Sequence, residues 1–103
     1  MERLMFRHVV MFRWNDDVDP SYGEVVGAEL SKLPGLIPEI AAYHHGPDAR
    51  VNEGNFDYVV VADFASQDDY LVYRDHPDHA AVIAAMIAGR VASRGAVQYA
   101  IPD

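Results

Sequence analysis

The chain has 103 residues, 50% of them hydrophobic and 23% charged, which allows one domain with one core (residues 1–103) and excludes a second. Sixteen acidic against eight basic residues leave a formal charge of −8, which repels a phosphate backbone and argues against a nucleic-acid partner. With no cysteine there are no disulfides, thiolate metal sites or thiol nucleophiles, and no apolar run approaches the roughly 18 residues of a membrane span, so the default expectation is a cytoplasmic protein with no membrane partner.

In chain order, residues 5–14 alternate as a strand does. Phe6, His8, Val10, Phe12 and Trp14 point one way; Met5, Arg7, Val9, Met11 and Arg13 point the other. Asp19 then reads as an N-cap with Pro20 at the first helical position. Tyr22, Val25, Val26, Leu30 and Leu33 fall on one stripe of the helix that follows. Gly23 and Gly27 each cost that helix about 1 kcal/mol relative to alanine, which leaves two readings: space for a ligand, or close approach to the sheet.

Leu33-Pro34-Gly35 is expected to stop the helix, with a second strand from Ile37 to His45 closed by Gly46-Pro47. As neighbours on a strand, His44 and His45 diverge to opposite sides and are given structural roles only. Residues 56–64 read as a third strand, rich in β-branched and aromatic side chains and pairing as a hairpin with the second. Ser66 and Asp69 form a capping pattern for a short helix carrying Tyr70 and Tyr73. Pro77 ends that helix and suits the first position of the next, whose stripe is His79, Val82, Ile83, Met86 and Ile87. Ser93-Arg94-Gly95 is expected to close it, and Ala96 to Ile101 to form the last strand.

The resulting order, β-α-β-β-α-α-β, is an α+β arrangement of the ferredoxin-like kind: one antiparallel four-stranded sheet covered by helices on one face. The other face stays bare in a monomer. A domain this small buries only about 60–65% of the surface its unfolded chain exposes, so a homodimer is expected, two sheets facing each other as a dimeric α/β barrel.

Tyr73, His76 and His79 around the Pro77 break read in two ways: as surface side chains at a helix junction, or as an acid–base site whose imidazoles change charge near neutral pH. Near a helix start and partly desolvated, the His79 ring is expected to be neutral at pH 7 and able to accept a proton. His76 and His79 at i, i+3 could also share a metal ion, but no three-ligand spacing is present, and neither metal nor cofactor is expected. His8 is either a satisfied core histidine or a partner facing a cavity.

With these residues in place, the chain resembles the stress-responsive dimeric α/β-barrel family, which includes plant polyketide cyclases of the olivetolic acid cyclase type. The resemblance spans nearly the whole chain. It rests on residues 7–14 (RHVVMFRW), the junction 36–40 (LIPEI), the strand Tyr58 to Phe64 with Ala65-Ser66, and residues 73–79 (YRDHPDH). It implies His79 as the catalytic histidine, acting as base, Tyr73 as the catalytic tyrosine, hydrogen-bonding the developing enolate or alkoxide, and His8 as a third pocket residue. Tyr58 stands where the cyclase has a further pocket histidine, and smaller residues around Val25, Val26 and Gly27 replace bulky aromatics. The expected contact surface for a hydrophobic or phenolic small molecule is Phe12, Val25, Val26, Leu30, Tyr58, Val82 and Met86. A general base contributes about 10²- to 10⁴-fold, enough for a substrate already inclined to react, such as a poly-β-keto chain closing by aldol condensation. Two further classes stay open: a cofactor-free monooxygenase with an aromatic cavity lined by Phe12, Trp14 and Phe64, and a non-catalytic dimeric binding protein.

Overall fold

The alternation of residues 5–14 produces the longest-paired strand of the sheet. In the computed structural model, which describes residues 3–102, β1 (Leu4–Trp14) lies between β3 (Tyr58–Phe64) and β4 (Val91–Pro102), with β2 (Ile40–Pro47) outside β3. The order is β2-β3-β1-β4 and every pairing is antiparallel, giving a ferredoxin-like α+β fold. Register places His8 opposite Ala62 and Gln98, and Phe12 opposite Tyr58 and Arg94. Side chains directly opposite on antiparallel strands share a face, so these six belong to one side of the sheet.

That side carries the helices: α1 (Tyr22–Leu30), the single turn α2 (Leu33–Leu36), α3 (Gln67–Asp75) and α4 (Pro77–Val82), which runs into a π-helical turn at Ile83–Ile87. Phe64, Leu33, Ile37 and Val26 are its largest fully buried side chains. On the other side lie Met5, Val9, Met11, Val59, Val61, Val97 and Tyr99, the last two about half exposed at 54% and 46%. A bidentate pair between Arg7 and Asp63 crosses this open face at 2.7 and 2.9 Å. No helix among the described residues is long and apolar enough to cross a membrane.

Several boundaries differ from the sequence expectation. Helix α1 starts at Tyr22 rather than Pro20, because the Asp19 carboxylate is occupied ahead of the helix, accepting from the Ser21 amide at 2.8 Å and its hydroxyl at 2.7 Å. Leu33-Pro34-Gly35 does not stop the chain but forms α2, with Pro34 in the first turn, where a missing amide proton costs nothing. The second strand accordingly begins at Ile40, not Ile37. The final helical segment ends at Ile87 and turns at Gly89, whose φ of 79° suits glycine, so β4 starts at Val91 and takes in Ser93-Arg94-Gly95.

Candidate functional site

The chemistry centres on the break between α3 and α4. Pro77 has no amide proton to donate, and the Asp78 amide, which would otherwise serve the Arg74 carbonyl four residues back, instead donates to His76 Nδ1 at 3.1 Å. The Arg74 carbonyl is thereby free, and His79 Nδ1 lies 3.1 Å from it. A carbonyl oxygen only accepts, so Nδ1 carries the proton and Nε2 keeps its lone pair. Burial holds the His79 ring below its ordinary pKa and the nearby His76 pushes the same way, while the Arg74 hydrogen bond opposes both. The ring is therefore a neutral acceptor at pH 7.

His8 has the opposite polarity. Its Nδ1 lies 2.8 Å from Gln98 Nε2, which can only donate, so in neutral His8 the proton sits on Nε2. Burial, reinforced by the charges of Arg94 and His79, lowers its pKa to about 4. Among the described residues no polar atom of a buried side chain is sealed off without a partner, so the Nε2–H of His8, for which no protein acceptor exists, opens to the adjoining cavity.

Tyr73 is 3% exposed, and its ring centroid lies 4.2 Å from that of His79. Its phenol oxygen is 2.9 Å from that of Tyr43 on β2. Burial raises Tyr43 far above the ordinary phenol range, and Tyr73 raises it further by charge and through the hydrogen bond between them. Tyr73 is pushed up to about 12, mainly by burial, with the Tyr43 bond working against the rise. Either phenol can donate in this bond, and with Tyr43 as donor the Tyr73 proton is available to a third group.

Around these groups is a cavity of about 350 Å³, lined by His8, Val10, Phe12, Leu30, Tyr43, Val60, Tyr70, Tyr73, Arg74, His79, Ile83, Ile87 and Arg94. Of the residues singled out in the sequence, His8, Tyr73, His79, Phe12 and Leu30 meet there. The others stand apart from the lining. Val25 is half exposed at 50%, Val26 is fully buried in the core, and Val82 and Met86 pack at its edge. Tyr58 turns toward α1, where its hydroxyl bonds His45 Nδ1 at 2.8 Å, while Ser31 Oγ lies 3.0 Å from His45 Nε2. The two glycines are explained by that ring. A Cβ on Gly27 would stand 3.1 Å from the Tyr58 hydroxyl and one on Gly23 3.4 Å from its ring, which favours close approach to the sheet over space for a ligand.

Sequence reasoning missed Tyr43, because the register of β2 shifts between Ile40 and Ala42. The extra residue brings Ile40, Tyr43 and His45 to the helix side, opposite Phe64, Ala62 and Val60. His45 thus has a packing role between α1 and β3, consistent with the structural role expected for it. Arg94 escapes a reading of the sequence because Ser93-Arg94-Gly95 has the composition of a helix end, whereas it lies within β4. Among the described residues no three His, Asp or Glu side chains converge as a metal site.

Comparison with known proteins agrees with this fold and adds a family. The chain is 47% identical to a dimeric ferredoxin-like protein of unknown function from Thermobifida fusca, with 95% of this chain and 92% of that one covered and a TM-score of 0.87. It is 28% identical to a dimeric protein of unknown function and ferredoxin-like fold from Bacteroides fragilis, with 94% and 96% covered and a TM-score of 0.78. A hydroxynitrile lyase from Passiflora edulis shares the fold at 19% identity, with 94% and 93% covered and a TM-score of 0.79. Curated proteins give no match. Residues 6–101 match the stress-responsive A/B barrel domain, and the chain belongs to that family.

Proposed function

We propose that the cavity binds a small hydrophobic or phenolic molecule carrying a carbonyl group and promotes proton transfer next to that carbonyl, without a cofactor. The observation that carries this reading is the fixed tautomer of His79: Nδ1–H is tied to the Arg74 carbonyl, which leaves Nε2 as the base. In the forward direction Nε2 takes a proton from the carbon beside the carbonyl, and the electron pair moves onto the oxygen. The Tyr73 hydroxyl and the His8 Nε2–H are the two donors suited to hold that oxygen. When the enolate carbon attacks a second carbonyl of the same molecule, the new alkoxide recovers the proton from the His79 imidazolium. This is an aldol closure of the kind a polyketide cyclase performs. The hydroxynitrile lyase of like fold lends the family a precedent for enzyme activity, although at 19% identity the likeness itself is one of fold.

The working unit in this reading is a homodimer. The apolar open face, with Val97 and Tyr99 half exposed, supports it, as do the dimeric proteins from Thermobifida fusca and Bacteroides fragilis.

Exchange of the methyl protons of acetophenone for deuterium, followed by NMR in heavy water, tests the chemistry on a substrate that enolises slowly alone. Acceleration by the protein, suppressed by a bulkier non-enolisable ketone such as benzophenone, is the expected result. Binding of both ketones with no acceleration would overturn the catalytic reading in favour of a binding protein.

A further inference from the structure

Arg94 projects from β4 on the helix side, opposite Phe12, and lines the cavity. The other described basic residues are engaged. Arg7, Lys32, Arg50 and Arg74 each pair with a carboxylate. Arg13 and Arg90 donate to backbone carbonyls and cover the rings of Phe56 and Tyr22. Arg3 also has a partner. Among the described residues Arg94 is the basic side chain with neither a hydrogen bond nor an ion pair, in a chain whose acids outnumber its bases two to one.

Its surroundings sharpen the point. No Asp or Glu lines the cavity, and the one other cationic lining residue, Arg74, is held bidentate by Asp75 at 2.9 and 3.0 Å. Burial lowers the pKa of both His8 and His79, which favours their neutral forms at pH 7. The cavity therefore presents one uncompensated positive charge against a largely apolar and aromatic wall. A guanidinium offers two parallel N–H donors that match the two oxygens of a carboxylate.

We infer that Arg94 makes the cavity selective for an amphipathic carboxylic acid, its carboxylate on the Arg94 guanidinium and its apolar or aromatic body along Val10, Phe12, Val60 and Ile87. This rests on the cavity being a ligand site, as proposed above, and names the class of molecule that enters. Arg94 is a specificity residue in this account and takes no part in proton transfer.

The test compares 4-butylbenzoate with its neutral isostere 4-butylbenzamide, titrated into the isotopically labelled full chain at pH 7 and followed by NMR shifts of cavity residues. The acid should bind at least tenfold more tightly than the amide. In Arg94→Gln the two should bind alike, with the amide affinity unchanged. Lys32→Gln removes the same charge from an exposed side chain outside the cavity lining and should keep the preference. Arg94 is exposed, so its variant should melt as the parent does; should it not fold, Arg94→Lys, which keeps the charge but loses the fork, should show a reduced preference. Equal binding of acid and amide to the parent, or a preference that survives Arg94→Gln, overturns the inference and leaves the cavity as a neutral-ligand site. Failure of both probes to shift cavity residues overturns the inference together with the ligand-site reading.

Discussion

The phenol oxygens of Tyr43 and Tyr73 lie 2.9 Å apart, joining the edge strand β2 to α3 across thirty residues of sequence. The phenol that donates in this bond spends its proton internally, and the one that accepts keeps its own for a ligand. Tyr43→Phe removes the bond, so Tyr73 loses the contact that moderates its raised pKa, and its hydroxyl becomes free to turn. Stability should fall by about 1 kcal/mol, the net worth of one such hydrogen bond. Turnover should fall several-fold with little change in KM. Urea unfolding and steady-state kinetics read both, and a variant that is less stable but equally active would show that Tyr43 only packs.

Acid should destabilise the fold in a defined window. His8 titrates at about 4 in the folded chain against an ordinary 6.5. As pH falls the unfolded chain takes up the proton first, so the stability is fully present above 6.5 and is lost as pH drops toward 4. His8 alone accounts for on the order of 3 kcal/mol of that loss, and His79, lowered in the same direction, adds to it. Urea midpoints measured between pH 7 and pH 4 should fall accordingly, and His8→Gln should flatten the curve.

Gly27→Ala and Gly23→Ala should part company although both improve helix propensity by up to about 1 kcal/mol. At Gly27 the added methyl meets the Tyr58 hydroxyl at 3.1 Å and must push it aside by a few tenths of an ångström against its bond to His45, whereas at Gly23 the contact at 3.4 Å is close to ordinary packing. Gly27→Ala is therefore expected to lower Tm and Gly23→Ala to leave it unchanged or raise it. Equal effects would mean that the Tyr58 ring yields freely.

Much of this was legible in the chain. The alternation of residues 5–14, the capping by Ser66, whose oxygen accepts from the Asp69 amide at 3.2 Å, and the Pro77 restart follow from local rules, and they bring His8, Tyr73 and His79 to one cavity. What was not legible depends on partners distant in sequence. The register shift after Ile40 is set by pairing with β3, so Tyr43 could not be assigned a face from its own neighbours. Val25 and Val26 belong to the right helix, but which of its residues meets the cavity depends on how α1 lies over Tyr58, and only Leu30 at its end reaches that far. Gly95 carries the same stop signal in the sequence as Gly89, and it is at Gly89 that the positive φ falls.

Light scattering should return the mass of two chains at micromolar concentration. Replacing Val97, half exposed at the centre of the open face opposite Val9, with Asp should shift the protein toward monomer by placing a charge in an apolar contact. A monomeric parent would contradict the barrel arrangement.

The most direct test of the account is the rate of acetophenone deuteration by His79→Ala beside Tyr73→Phe and the parent, with circular dichroism confirming that all three are folded. With His79 as the base, His79→Ala should fall to the uncatalysed rate, a loss of about 10²- to 10⁴-fold. Tyr73→Phe should retain a measurable fraction, since His8 still offers a donor to the developing oxyanion. Full activity in the His79→Ala protein would contradict the assignment of the base, and with it the central claim that the Pro77 break exists to hold that ring by its Nδ1–H.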